Sequence, residues 1–188
     1  MKVIYHCYGG THSSVTAASI HLGFLPADRI PEKETFLRIP LYDRQEADEH
    51  GQMFFMGQDE FGNEVYIVAR RNRPEVLENL MAGLAAMFDT PRDGYMLVNV
   101  MVRVNLTMMI GGFLSRRWGF IRMGRPIVTA GTQAAYFKVV KLVKDVRREL
   151  EVIHGKKSAL FQRQQISPGS CGGGDSHRLF TGESGTGS

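Results

Sequence analysis

The sequence predicts a three-layer α/β domain: a mainly parallel, Rossmann-like sheet with an antiparallel β-hairpin, followed by a disordered tail. Three observations predict it. A strand-like run from Lys2 to Tyr8 breaks at Gly9-Gly10 and passes into a helix-like run. Two further apolar runs, Tyr95 to Val100 and Pro126 to Ala130, each lead into a stretch of helical periodicity. Helices that separate buried strands imply parallel pairing through right-handed crossovers. In such sheets ligands bind at the carboxyl ends of the strands. Those ends would carry Cys7 to Ser14, Asn99 to Asn105 and Thr129 to Thr132, all rich in small polar groups.

Taken in order, Lys2 to Tyr8 reads as a buried strand and Ser14 to Leu22 as a helix stopped by Gly23 and Pro26. Thr35 to Leu41 reads as a short or edge strand because of Pro40. Gln52 to Met56 and Glu64 to Ala69 flank a Gly62-Asn63 turn signal, which predicts a hairpin at the sheet edge. Asn72 can cap a helix starting near Pro74, whose core face would be Val76, Leu77, Leu80, Met81, Leu84, Met87 and Phe88. Tyr95 to Val100 is the next buried strand, and Asn105 can cap a helix from Leu106 to about Arg117. Pro126 to Ala130 reads as a last short strand turned by Gly131. Thr132 would then cap a helix to about Ile153, with Ala135, Val139, Val143, Val146 and Leu150 inward and Lys138, Lys141, Lys144 and Arg147 outward.

The length, 188 residues, suits one α/β domain over 1–154, with 155–188 as a flexible Gly/Ser-rich tail that cannot bury enough apolar area to order itself. A net charge of +4, with no basic patch interleaved with aromatics, argues against nucleic acid as a partner. Lys2 leads straight into a strand pattern, so no signal peptide is read, and no apolar stretch is long enough to span a bilayer. A cytoplasmic location without a membrane partner is expected. The two cysteines, Cys7 and Cys171, do not form a disulfide framework.

The N-terminal passage carries the functional signal. The first N–H groups of a helix lack internal partners, and the dipole adds roughly half a positive charge there. A glycine turn lets the backbone approach a ligand closely. Gly9, Gly10, Thr11, His12, Ser13 and Ser14 therefore read as the ligand-binding residues of an anion site, completed by Asn99, Asn105 and Thr132. Cys7 and His12 are the candidate catalytic residues. The expected ligand is a phosphorylated small molecule or a nucleotide. Magnesium would accompany a nucleotide; no other cofactor is implied.

Three chemistries are open. Cys7, five intervening residues, Ser13 and Ser14 resemble the N-terminal loop of low-molecular-weight tyrosine phosphatases. There a cysteine nucleophile follows the first strand and an Arg–Ser pair opens the helix. Cys7 and Ser14 match, but Ser13 stands at the arginine position, which removes the fixed cation. Gly9 to Ser14 also resembles the end of a degenerate nucleotide P-loop, with His12 in place of lysine. A metal site would draw on His6, Cys7, His12 and His21, or on His50 beside Asp48 and Glu49. His6 and Cys7 point to opposite faces of a strand, and none of these groups has zinc spacing, so no metal is expected. His21 reads as a surface or half-buried structural residue.

The passage Tyr5 to Ala18, the hairpin Gly57-Gln-Asp-Glu-Phe-Gly-Asn-Glu-Val-Tyr66 and the Thr129-Ala-Gly-Thr132 segment resemble an uncharacterised family of bacterial proteins found in spore-forming Firmicutes. The resemblance covers residues 1 to about 150. It implies a bacterial cytoplasmic origin and no particular activity. The competing expectation is a non-catalytic regulatory or interaction module. Its loop would be a degenerate anion site, and the Lys138–Arg147 stripe or the tail would bind a partner.

Overall fold

A computed structural model of the chain describes residues 1–44, 48–91, 94–103 and 121–166. The chain divides into two compact units, Met1–Ile153 and His154–Ser188. The first holds a four-stranded sheet in the order β2-β3-β1-β4. Its strands are β1 (Lys2–Cys7), β2 (Met53–Gln58), β3 (Glu64–Ala69) and β4 (Tyr95–Asn99). β1 pairs in parallel with β3 and β4, and β2 pairs antiparallel with β3 at the edge. The mixed α/β class and the edge hairpin agree with the sequence reading.

β1 sits centrally because it is apolar on both faces. Val3 and Tyr5 enter the larger core, while Ile4 enters a smaller one with Val68 and Leu77. The larger core is covered by α1 (Ser13–His21), α2 (Lys33–Arg38) and the inward face of α4 (Ile121–Ile166). All nine residues of α1 are buried. Its small side chains, Ser13, Ser14, Ala17, Ala18 and Ser19, let it pack closely without a bulky apolar stripe. The smaller core lies against α3 (Pro74–Met87), whose Leu77 and Met81 meet Tyr66, Tyr95 and Leu97.

Four expectations are corrected. Residues 33–38 form a helix and not a strand: a single side chain, Phe36, anchors it, packed against Tyr42 and Tyr136. It ends at Ile39, which is extended before Pro40 because proline disfavours helical backbone in the residue preceding it. Residues 126–130 are helical, part of α4. Thr129 and Thr132 are both buried and lie three apart, so they continue the stripe formed by Ala135, Tyr136 and Val139. The β-branched run Ile127 to Thr129 suggested a strand, and that buried helical stripe overrode it.

The third correction concerns α3. Only Leu77 of its proposed core face is buried and Met81 is half-buried; Val76, Leu80, Leu84, Met87 and Phe88 are exposed. The helix carries two apolar stripes, and a sheet of this width covers one. Its N-cap is Arg73 and not Asn72, with no side-chain capping bond. Fourth, His21 is buried. The inward face read for residues 135–150 is buried as expected, and Lys138, Lys141 and Lys144 are exposed. α4 runs on to Ile166, past the expected end near Ile153. The helix expected over 106–117, its cap Asn105, and residues 167–188 lie outside the described residues. Among those described, no helix is long and apolar enough to cross a membrane.

Candidate functional site

The loop from Cys7 to Ser14 joins the central strand to the buried helix α1. Gly10 has φ of +69°, a left-handed conformation that glycine takes without a Cβ penalty. This lets the chain fold back over the end of β1. The Gly10 N–H donates to Cys7 Sγ at 3.1 Å, and the Ser14 hydroxyl lies 3.2 Å from the same sulfur. The loop is thus wound around the thiol. Cys7, Gly10, Thr11, Ser13 and Ser14 are buried, while Tyr8, Gly9 and His12 are half-buried and form its outer members.

His12 stands at the N-cap of α1 and makes no side-chain capping bond there. Its Nε2 lies 3.1 Å from Asp43 Oδ1, and its Nδ1 lies 3.1 Å from Thr11 Oγ1. The carboxylate can only accept, so Nε2 carries a proton. The Asp43 N–H donates to the Thr11 carbonyl at 3.2 Å, clipping a second segment onto the loop. Asp43 holds this position with φ of +56°, tolerated by Asp better than by most residues. The Tyr42 ring packs edge-on to His12, and its hydroxyl lies 3.0 Å from Thr132 Oγ1. Burial drives the Tyr42 pKa up to about 12, so it remains a neutral phenol.

Thr132 is therefore brought to the loop region through Tyr42, from a helix and not from a strand end. Asn99 stands at the carboxyl end of β4, and its Oδ1 accepts from the Met101 N–H at 3.1 Å and from Arg70 at 3.3 Å. His6 and Cys7 do lie on opposite faces, as alternation requires: Cys7 meets α1, whereas His6 Nδ1 accepts from Arg70 Nε at 3.0 Å. Burial first, then the Arg70 charge, lowers the His6 pKa to about 4, so its imidazole is neutral at pH 7.

Below the loop, Tyr5, His21 and Asp59 form a second polar network. The Tyr5 hydroxyl lies 2.7 Å from His21 Nδ1, and His21 Nε2 lies 3.1 Å from Asp59 Oδ2. Burial lowers the His21 pKa against the opposing pull of Asp59, and burial raises that of Tyr5. The network is thus a neutral phenol donating to a neutral imidazole, which donates to a carboxylate. Burial alone pushes the Asp59 carboxyl up. Bonds from Asn63 and His21 and the backbone N–H groups of Asn63 and Phe61 outweigh it and hold the pKa low. Asp59 thereby also closes the β2–β3 turn, with its Oδ1 accepting from Phe61 and Asn63 N–H at 2.9 and 2.8 Å.

Tyr42, Asp43, Arg70 and the Tyr5–Asp59 network were not found from sequence. One signal was available for Arg70: Arg70, Arg71 and Arg73 crowd the carboxyl end of a predicted strand. Among the described residues, no group of three or more His, Cys, Asp or Glu side chains is placed to hold a metal ion.

Fold and site together define an α/β protein with a thiol-centred, glycine-turned loop at the carboxyl edge of its central strand. Residues 2–148 match the family described as "Protein of unknown function (DUF3189)", and the chain belongs to that family. No curated protein and no solved structure shows significant similarity to it.

Proposed function

We propose that the chain binds a phosphate monoester, as a phosphorylated small molecule or nucleotide, at the Cys7–Ser14 loop and hydrolyses it with Cys7 as nucleophile. One observation carries this reading: Cys7 Sγ receives the Gly10 N–H and lies within hydrogen-bond distance of the Ser14 hydroxyl, the latter seven residues on. The thiolate is the reactive form of a cysteine. The thiolate would attack phosphorus and form an S–P bond as the P–O bond to the leaving group breaks. His12, oriented by Asp43, would give that oxygen a proton. Water would then cleave the S–P bond, returning a proton to His12 and releasing inorganic phosphate. The bacterial cytoplasmic origin implied by the family resemblance would keep Cys7 reduced. Magnesium enters only if the ligand is a nucleotide.

The loop lacks an arginine between His12 and Ser14, so its own cation is absent and the α1 N-terminus supplies the positive end. The second reading, a non-catalytic interaction module, is favoured by the exposed stripe of Val76, Leu80, Leu84 and Met87 on α3.

A thermal-shift screen separates the two. Phosphate, sugar phosphates and nucleotides would be tested, each with and without magnesium, on the wild type and on a Ser13→Ala, Ser14→Ala double variant. Ligand at 100 times Kd stabilises by about 2.7 kcal/mol. A shift in the wild type that the variant loses supports the phosphate site. No shift with any compound removes it and leaves the interaction module.

A further inference from the structure

β3 continues along β1 beyond Ala69. The Arg70 N–H donates to the Cys7 carbonyl at 3.1 Å, and the Arg71 N–H to the Tyr8 carbonyl at 3.0 Å. The Arg70 backbone therefore lies one strand spacing, about 4.8 Å, from the start of the thiol loop. Its guanidinium is on the His6 side of the sheet, so the strand end separates it from the thiol.

Each nitrogen of that guanidinium has one neutral acceptor: Nε donates to His6 Nδ1, Nη1 to the Arg71 carbonyl, and Nη2 to Asn99 Oδ1. No carboxylate among the described residues pairs with it. Arginine has five N–H donors and no acceptor, so among the described residues two donors remain and no carboxylate offsets the charge. Because Arg70 can only donate, His6 Nδ1 must be the bare nitrogen of the ring. Nε2 then carries the proton, on a ring that is itself buried. A half-buried cation held on three sides by neutral groups is a preformed oxyanion site. Neutral acceptors orient the fork without cancelling its charge.

We infer that Arg70, positioned by His6 and Asn99, binds a second oxyanion group of the ligand whose phosphate occupies the Cys7–Ser14 loop. This inference rests on the phosphate reading of that loop. It adds the substrate class: a phosphate monoester that also carries a carboxylate or a second phosphate, the two groups straddling the end of β1.

Calorimetric titration of the full chain tests it with four probes: inorganic phosphate, glycerol phosphate, phosphoglycolate and a glycerol bisphosphate. In the wild type, phosphoglycolate or the bisphosphate should bind at least tenfold more tightly than glycerol phosphate, the gain expected of roughly one charge-assisted contact. Whichever of the two does so identifies the second group as carboxylate or phosphate. In Arg70→Gln that preference should fall to near unity. Arg70→Lys, which keeps the charge and loses the fork, should retain part of it and serves if Arg70→Gln does not fold. Wild-type binding of phosphate with no preference among the esters, or a preference that both variants keep, overturns the assignment of Arg70 and leaves the loop reading standing. No wild-type binding of any probe overturns both.

Discussion

Ser14 Oγ lies 3.2 Å from Cys7 Sγ, and both atoms are buried against the first turn of α1. The contact ties the end of the central strand to the start of the helix that covers it. Removing it separates stability from chemistry. Ser14→Ala should cost about 1 kcal/mol in urea unfolding. It should also slow any phosphoester turnover by an order of magnitude or more, because the thiolate loses a donor. Cys7→Ser should abolish turnover and keep phosphate binding. Unchanged turnover in either variant would remove Cys7 from the chemistry.

His12 and Asp43 are 31 positions apart and meet at 3.1 Å. General acid–base help is worth about 10²–10⁴-fold. His12→Gln should lose most of that from kcat while leaving KM within a few-fold. Asp43→Asn keeps a residue tolerant of φ at +56° and should lose less. The split between kcat and KM, read from steady-state kinetics, distinguishes proton transfer from loop collapse.

The Tyr5–His21–Asp59 network makes a stability prediction. Tyr5→Phe leaves His21 Nδ1 buried without its donor and should cost about 1–3 kcal/mol. Asp59→Ala should cost more, since the β2–β3 turn loses its acceptor too. By contrast, Thr16 Oγ1 and Ser19 Oγ are buried with no partner among the described residues. Thr16→Val and Ser19→Ala should therefore raise the melting temperature. Chemical denaturation of the four variants checks both directions.

Acid should destabilise the fold in a defined window. His6 titrates at about 4 in the folded chain, against 6.5 when free. Between those values the unfolded state holds the extra proton, so stability falls as pH drops from about 6.5 to 4, by up to about 1.4 kcal/mol per unit for this one residue. His21, also lowered, acts in the same direction. Asp59, lowered as well, keeps its contribution until pH falls below the usual carboxylate range. His6→Asn should flatten the melting-temperature profile between pH 6.5 and pH 4. A profile as steep as that of the wild type would mean that His6 is not buried neutral.

The two stripes of α3 should respond differently. Leu77→Ala, on the buried stripe, should cost about 2–5 kcal/mol. Leu80→Ala, on the exposed one, should cost less than about 1 kcal/mol. Equal losses would show that both stripes are covered in solution.

Much of the sheet was legible because its signals are local. The short apolar runs of β1 and β3, the Gly62-Asn63 turn, and a glycine pair before α1 each depend on a few neighbouring residues. The errors arose where tertiary packing decided. Ile127 to Thr129 looks like a strand until Thr129 and Thr132 are seen to share a buried helical face with Ala135. Phe36 alone anchors α2, too little for a periodic signal. The α3 pattern gave a correct helix and too wide a face: it took in both stripes, and periodicity does not say that only the one with Leu77 and Met81 meets the sheet. At the site, Gly10, Ser14 and Cys7 were readable as one motif. Asp43 and Arg70 were not, since they arrive from segments 31 and 64 positions away from their partners His12 and His6.

The most direct test of the phosphate loop is a titration of ¹⁵N-labelled protein with inorganic phosphate, following the amide resonances of residues 7–14. The account predicts saturable shifts centred on Gly9, Gly10 and Thr11 to Ser14, lost in the Ser13→Ala, Ser14→Ala variant. Resonances of these amides that stay fixed at tens of millimolar phosphate, about the upper end of useful affinity for a metabolite site, would contradict it.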